Sequence, residues 1–189
     1  KKYLKNFSLV SKVLSKVARI SKLDKTLKHT KEDIWEFLSE IPDPEIPVIS
    51  IADLGVLRKV ELINTKVIVT ITPTYSGCPA MKAFEDDIKA KLIENDISDF
   101  KVLTTHSPAW TTDWINDEAL EKLRKYGIAP PVKGTEDKGV LFGSDTKTVE
   151  CPLCKSKNTS LKSQFGSTAC KSLYQCNACL EPFDYFKCI

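Results

Sequence analysis

Six of the seven cysteines lie in the last 39 residues, and four of these six have the spacing of metal ligands. The four form two C-x-x-C pairs, Cys151 with Cys154 and Cys176 with Cys179, and 21 residues separate the pairs. Each pair can occupy one edge of a tetrahedron, and four thiolates complete a closed structural zinc site. We therefore predict a C-terminal zinc ribbon. A rubredoxin-like iron site, which has the same geometry, is the main alternative.

The other two tail cysteines, Cys170 and Cys188, are candidates for further metal ligands. They could also pair with each other, serve in redox chemistry or pack in the interior. Packing is our expectation, since free cysteine is often buried. A module of about 40 residues is too small to form an independent core, so metal binding would supply part of its folding free energy.

The seventh cysteine, Cys78, stands at the predicted start of a helix, in the segment T-P-T-Y-S-G-C-P that runs from Thr72 to Pro79. Pro79 suits the first helical position, which places Cys78 at the N-cap. Free backbone N–H groups and the helix dipole favour a thiolate there, and Gly77 permits a tight turn just before it. We predict a reactive or metal-binding thiol with a pKa below that of free cysteine. The alternative is a small buried side chain at a strand-to-helix corner.

Several predicted elements precede this thiol. A helix over about residues 31–40 begins with a capping box at Thr30, and a proline-rich loop ends it. Two alternating runs, 56–63 and 66–72, predict antiparallel strands, and Asn64 begins the tight turn between them. These elements place two features ahead of the thiol: a hairpin, and an acidic, proline-rich loop over 42–47 that holds Asp43 and Glu45.

The elements after the thiol complete the first domain. The spacing of apolar residues predicts a helix over 79–94 and a strand over 100–105. A short helix then starts at Asn116 and stops at Gly127. A strand pair, a helix and a further strand indicate a small two-layer α/β sandwich. We therefore predict an α+β protein in which this sandwich is followed by the zinc ribbon.

Composition divides the chain into four segments. We predict a basic and flexible leader over 1–28, the α/β domain over 29–128, a linker over 129–147 and the four-cysteine ribbon over 148–189. The linker is rich in proline and glycine, with a short strand expected near 140–142.

The charge is concentrated at one end of the chain. Residues 1–28 hold eight lysines and Arg19 against Asp24, a net charge of +8, and the remaining 161 residues hold 19 basic and 24 acidic residues, a net charge of −5. The acidic body argues against nucleic-acid binding. A basic amphipathic helix for targeting or for a membrane surface is an alternative to a frayed leader.

The sequence also argues against several other classes of protein. No apolar run reaches the ~18 residues that cross a bilayer, and no secretory signal pattern is present. Clustered cysteines without an export signal favour a metal site and a cytoplasmic location. His29 and His106 are the only histidines, and no catalytic triad can be recognised, so we expect no catalytic residues.

The first domain contains three short motifs, whose order and spacing match those of a known family: Asp43-Pro-Glu-Ile-Pro-Val48, Ser50-Ile-Ala-Asp-Leu-Gly55 and Gly77-Cys78-Pro79. Over roughly residues 30–128 they resemble the small iron–sulfur assembly factors of the SufT and PaaD type, whose members take part in assembling or inserting iron–sulfur clusters. The resemblance implies a site for transient iron or an iron–sulfur cluster, composed of Cys78, Thr72, Asp43, Glu45 and Asp53. On residue chemistry alone the acids could instead serve turns.

The tail from Phe165 to Cys188, together with Trp110-Thr-Thr-Asp-Trp-Ile115, closely resembles the PaaD-type accessory proteins of phenylacetyl-CoA epoxidase, a multicomponent monooxygenase of aerobic phenylacetate breakdown. This implies a non-catalytic maturation factor with a structural zinc, whose partners are the oxygenase and reductase components of that system. The alternatives are a docking subunit in which Cys78 is inert and a nucleic-acid-binding ribbon with a basic arm. A homo-oligomer is compatible with each of these.

Overall fold

The computed structural model describes residues 29–131 and 148–187. The leader 1–28, most of the predicted linker with its strand at 140–142, and Cys188 lie outside the described residues. In the part of the chain that is described, no helix has both the length and the apolar character needed to span a membrane.

A three-stranded sheet forms one layer of the first domain. Its strands are β1 (Leu57–Ile63), β2 (Lys66–Ile71) and β3 (Phe100–Thr104), in the order β1-β2-β3. The first two strands run antiparallel and are joined through Asn64, whose φ is 56°. β3 pairs with β2 in parallel, an arrangement that requires a crossover connection. The predicted hairpin is confirmed, with strand ends within one residue of those expected.

Two helices form the second layer. α1 (Lys31–Ser39) begins with the predicted capping box, in which the Thr30 Oγ1 accepts from the Asp33 N–H at 3.1 Å and the Asp33 carboxylate accepts from the Thr30 N–H at 2.8 Å. α2 (Ala80–Glu94) provides the crossover, and the two helices contact each other. Their apolar faces and the sheet share one core, which includes Ile34, Leu38, Val67, Val69, Ile71, Phe84, Ile88 and Leu92. The two-layer sandwich is thus confirmed.

α3 (Asp117–Tyr126) completes the first domain. It starts at Asn116, whose side chain accepts a backbone hydrogen bond, and it ends at Gly127 with a φ of 92°, both as predicted. The segment before it passes close to Gly55, where a Cβ atom would stand 2.7 Å from the Cβ of Trp114. Gly55 also has a φ of 68°, so glycine is the residue that fits this close approach.

The C-terminal residues contribute to a second sheet of four strands. The strands are β4 (Ile128–Ala129), β5 (Thr159–Ser163), β6 (Lys171–Cys176) and β7 (Pro182–Phe186), in the order β4-β7-β6-β5. β4 directly follows α3 of the first domain, yet it pairs in parallel with β7 of the ribbon. We expected the linker to begin at residue 129. Ala129 is instead buried and paired with Tyr185, so the connecting segment starts later.

The ribbon packs directly on the first domain. Phe186 and Cys170 of the ribbon are buried in the core of the first domain. The Phe186 ring meets the Trp110 ring edge to face, with centroids 6.4 Å apart and an interplanar angle of 72°. The backbone N–H of Lys187 donates to the carbonyl of Cys170 at 2.9 Å and ties these two ribbon segments together. The two parts therefore share both a strand pair and a core.

Candidate metal and transfer sites

The four ribbon cysteines form a compact sulfur cluster. The sulfurs of Cys151, Cys154, Cys176 and Cys179 all lie within 4.8 Å of one another. Cys151 Sγ is 3.8 Å from Cys179 Sγ, and Cys154 Sγ is 3.4 Å from Cys176 Sγ. A zinc–sulfur bond of about 2.3 Å gives tetrahedral sulfur–sulfur edges of about 3.8 Å. The donor set therefore fits a tetrahedral zinc without rearrangement of the backbone.

Both C-x-x-C turns are built in the same way. In each turn the residue that follows the second cysteine has a left-handed φ, which is 62° at Lys155 and 67° at Leu180. The N–H groups of Cys179 and Ala178 point at Cys176 Sγ at 3.5 and 3.4 Å. These N–H groups, with the one from Cys179 contributing most, lower the pKa of Cys176 to about 6. The turn thus stabilises the thiolate of Cys176, one of the four thiolates that a zinc ion would bind.

Cys78 lies in the corner between β2 and α2. Its N–H donates to the carbonyl of Tyr75 at 3.3 Å, and Gly77 has a φ of 85°, as expected for the tight turn. The helix begins at Ala80 with Pro79 as its N-cap, so Cys78 precedes the N-cap by one residue. The predicted N-cap position was therefore wrong by one residue, because Pro79 takes up the cap itself.

The surroundings of Cys78 favour the thiol over the thiolate. Burial of the partly exposed side chain raises the pKa of Cys78, and the carboxylates of Glu45 and Asp43 add to the rise. The Ala80 N–H and the Thr74 hydroxyl act in the opposite direction without reversing it. Our prediction of a pKa below that of free cysteine was wrong, since it counted the helix terminus and not the burial and the acidic loop.

Asp43 organises the acidic loop. Its Oδ1 accepts hydrogen bonds from the N–H groups of Glu45 and Ile46, both at 2.8 Å, and its side chain is 8% exposed. Burial raises the pKa of the Asp43 carboxyl. One carboxylate oxygen is thus committed to the backbone of the turn, which is the structural role that acidic residues often take in loops.

Glu45 contacts a thiol of the ribbon and acts electrostatically on Cys78. Cys170 Sγ donates to Glu45 Oε2 at 3.6 Å, a contact between residues 125 positions apart in sequence. The Glu45 charge also raises the pKa of Cys78 and of Tyr75. Sequence reasoning did not place Tyr75 or Cys170 here. The single signal for Cys170 was that it belongs to neither C-x-x-C pair.

Thr72 and Asp53 have other partners. The buried Thr72 hydroxyl donates to the Thr105 carbonyl at 2.8 Å and joins the ends of β2 and β3. The Asp53 carboxylate accepts from Asn116 at 2.8 Å and from Lys122 at 3.0 Å. Although burial opposes it, these bonds hold the pKa of Asp53 below its usual value. The hydrogen bonds of Asp53 connect the turn at residues 50–53 to α3, and none of them reaches Cys78.

Two family models match the chain in the order that the residue motifs suggested. The model of the iron–sulfur cluster assembly protein matches residues 31–96, which include the acidic loop and Cys78. The model of the PaaD zinc beta ribbon domain matches residues 135–187, which include all four clustered cysteines. The second match decides between zinc and iron in the ribbon, and it confirms the predicted structural zinc.

A relative from Escherichia coli (strain K12), which is named as one subunit of a "Putative 1,2-phenylacetyl-CoA epoxidase", is 48% identical over 157 residues. These residues are 83% of this chain and 92% of that protein. The chain belongs to the PaaD family. Its PaaD-type assembly domain also matches the "Fe-S protein maturation auxiliary factor" of Porphyromonas gingivalis, at 34% identity over 97 residues, 50% of this chain and 91% of that protein.

Among solved structures, a domain of unknown function (DUF59) from Bacillus anthracis is 25% identical to this PaaD-family chain. The match covers 49% of this chain and 90% of that chain, with a TM-score of 0.46. The helices and strands of the chain itself and the two family matches define its fold. The family matches also confirm the resemblance inferred from the residue motifs.

Proposed function

We propose that this protein is an accessory maturation factor of the 1,2-phenylacetyl-CoA epoxidase system. It delivers iron or an iron–sulfur cluster to an oxygenase or reductase component and turns over no substrate itself. The 48% identity to the Escherichia coli protein named as an epoxidase subunit supports the link to that system. The iron–sulfur assembly match and the relative named as a maturation auxiliary factor support the metal-handling role.

The observation that carries the proposal is the position of Cys78. It is a partly exposed thiol in a helix corner, and it stands within the electrostatic reach of the Glu45 carboxylate. One thiol with a carboxylate beside it falls short of the four-cysteine set that holds a permanent cluster. Such incomplete ligation suits a carrier, which must bind its cargo and then release it.

Transfer from this site is a ligand exchange. A thiol of the client approaches the iron that Cys78 holds and loses its proton as its sulfur–iron bond forms. The bond between iron and Cys78 breaks, and the sulfur of Cys78 takes up a proton. No oxidation state changes, so the step needs no electron donor or acceptor.

The test compares a strain that lacks the protein with strains that carry the wild type, Cys78→Ala or Ser76→Ala. Ser76 is an exposed neighbour in the same loop and serves as the matched control. We expect Cys78→Ala to behave like the deletion: the epoxidase components are made, their iron content is low, and growth on phenylacetate fails. Ser76→Ala should restore growth. Full growth and normal client iron with Cys78→Ala would overturn the proposal.

A docking subunit with no metal transfer is the second candidate, and one observation favours it. Leu153 and Leu180 stand at the two C-x-x-C turns and are 60% and 69% exposed. Because the two turns bring their sulfurs within 4.8 Å of one another, both leucines lie at the same end of the ribbon, and an exposed apolar patch can mark a binding surface. If the protein only docks on an epoxidase component, Leu153→Asp with Leu180→Asp should abolish both copurification and growth, whereas Cys78→Ala should affect neither.

A further inference from the structure

Strand β1 forms one edge of the three-stranded sheet and pairs with a single neighbour, β2. The two-residue turn between these strands makes Ile63 and Lys66 a hydrogen-bonded pair, and such pairs alternate along an antiparallel ladder. The backbone N–H and C=O groups of Val60 and Leu62 therefore point away from β2. Nothing in residues 29–131 and 148–187 hydrogen-bonds to these groups. β1 thus offers an open edge for another strand.

This edge carries both signs of charge. Lys59 and Glu61 flank the buried Val60 and lie on the face of the sheet opposite the helices, where they form an ion pair at 2.7 Å. A lysine at a strand edge usually discourages pairing with another strand, but a nearby acid can offset it. The other edge strands that the structure describes lack such an acid: β3 carries Lys101, β5 carries Lys162 and β4 has no charged residue.

The charges of β1 complement a second copy of β1 in one register. A two-fold axis at Val60 pairs this residue with Val60 of the second copy through the open backbone groups. Lys59 then stands opposite Glu61 of the second copy, and Glu61 stands opposite its Lys59. These are non-hydrogen-bonded positions, in which cross-strand side chains come closest. An axis shifted to Glu61 would instead set two carboxylates against each other, so charge selects the register.

A groove beside the edge fits the same arrangement. It lies between α1 and β1, has a volume of about 340 Å³ and is lined by Trp35, Arg58 and Val60 among others. α1 therefore leaves the edge accessible. Trp35 is 36% exposed and Leu62 is 39% exposed. In the register centred on Val60, Leu62 of the second copy stands opposite Arg58 at this groove, where the two apolar side chains can leave water together.

We propose that two copies of this chain pair antiparallel through β1, about a two-fold axis at Val60. The two three-stranded sheets then form one sheet of six strands. The partner is a second copy because the edge complements itself: each copy supplies one lysine, one glutamate, one groove and one exposed leucine. The interface is isologous, so every contact occurs twice. This inference concerns assembly and does not depend on metal transfer by Cys78.

The experiment measures the mass of the full-length, zinc-loaded protein in solution by sedimentation equilibrium over a range of concentrations. We expect the wild type to reach twice the mass of one chain. Lys59→Glu and Glu61→Lys each place like charges at both pairs, so each should raise the dissociation constant roughly tenfold or more. When the two variants are mixed, with an affinity tag on one, the acidic edge meets the basic edge. The mixture should therefore form a heterodimer that neither variant forms with itself.

Two further variants separate the edge from general charge effects. Lys101→Glu makes the same charge change at an exposed residue of β3, on the opposite edge of the sheet, and should leave the dimer unchanged. Leu62→Pro removes an N–H that makes no bond within the chain, a change that strand edges tolerate, and it should abolish the dimer. Leu62→Ala keeps that N–H and should weaken the dimer less. Zinc content and circular dichroism show that each variant is folded.

Three results would overturn the proposal. The first is a wild type that stays a single chain at every concentration. The second is a dimer that both charge reversals leave intact, since its interface would then lie elsewhere. The third is a mixture of the two reversed variants in which no heterodimer forms. A single chain whose copurification with an epoxidase component is lost in Leu62→Pro would assign the edge to a strand of that component instead. If Leu62→Pro fails to fold, the mixed charge variants decide alone.

Discussion

The ribbon site and the Cys78 site use the same sulfur chemistry in different arrangements. The ribbon takes its ligands from two short turns and gathers four sulfurs within 4.8 Å, so each ligand is placed by its immediate sequence neighbours. Cys78 lies at the β2–α2 corner and feels the charges of the acidic loop, and Glu45 of that loop accepts from the ribbon thiol Cys170, so these groups come from distant parts of the chain. A closed set of four thiolates suits a structural metal, whereas the carrier role proposed for Cys78 requires an incomplete set.

The two sites also differ in how their acids and amides are used. In the ribbon, backbone N–H groups point at the Cys176 sulfur and stabilise its thiolate. In the acidic loop, one carboxylate oxygen of the buried Asp43 accepts hydrogen bonds from the loop backbone. The negative charge of Glu45 disfavours the thiolate of Cys78. The ribbon turn thus favours the thiolate of Cys176, whereas the surroundings of Cys78 favour the thiol.

The largest expected effect comes from removing cysteine ligands from the zinc site of the ribbon. Cys151→Ser with Cys176→Ser removes one ligand from each turn. We expect the zinc to be lost and the ribbon to unfold, since a structural zinc contributes roughly 10 kcal/mol or more of apparent binding free energy. Metal analysis and circular dichroism measure both outcomes. Cys170→Ser should keep its zinc, and stoichiometric zinc in the double variant would reject the ligand set.

The next effect tests whether the two regions unfold together. Phe186 of β7 is 3% exposed and lies in the core of the first domain. Phe186→Ala should lower the free energy of unfolding by about 3–5 kcal/mol, and both domains should share the loss. Thermal unfolding followed by zinc release and by far-ultraviolet circular dichroism gives the two transitions. Tyr126→Ala, at a ring that is 53% exposed, is the control and should change little. A transition that shifts only for the ribbon would show that the regions are uncoupled.

A smaller loss of stability is expected from changes in the acidic loop, which should leave the zinc site intact. Asp43→Ala leaves the N–H groups of Glu45 and Ile46 without their acceptor, at a cost of about 1–3 kcal/mol. Asp43→Asn keeps an acceptor oxygen and removes a charge that burial disfavours, so it should cost less. Urea unfolding measures the difference, and zinc content should stay constant in both variants. Equal losses for alanine and asparagine would contradict the role of Asp43 as a backbone acceptor.

Short-range signals predicted most of the fold, and long-range contacts account for what was missed. The capping box at Thr30 and the two C-x-x-C turns depend on residues a few positions apart, so the sequence displays them directly. The contact of Cys170 with Glu45 joins residues 125 positions apart, and no local pattern encodes it. The sign of the Cys78 pKa shift was missed for the same reason, since burial and the acidic loop are set by tertiary packing.

The smallest expected effect probes the open site through the reactivity of its thiol. Because burial, Glu45 and Asp43 raise the pKa of Cys78, its alkylation should follow an apparent pKa above the ~8.5 of a free thiol. The rate should therefore be low at neutral pH and should rise as the pH passes that value. Glu45→Gln removes a negative charge that opposes the thiolate. It should lower the apparent pKa and speed alkylation at neutral pH, while the zinc-bound cysteines stay protected.

Mass spectrometry of the alkylated peptides assigns the rate to Cys78 over a range of pH. Glu40→Gln is the control, because Glu40 is exposed and pairs with Lys91 at 3.0 Å on the surface; it should leave the rate at Cys78 unchanged. A rate that does not respond to Glu45→Gln would mean that burial, with any effect of Asp43, suppresses the thiolate. Glu45 would then have no electrostatic effect on Cys78.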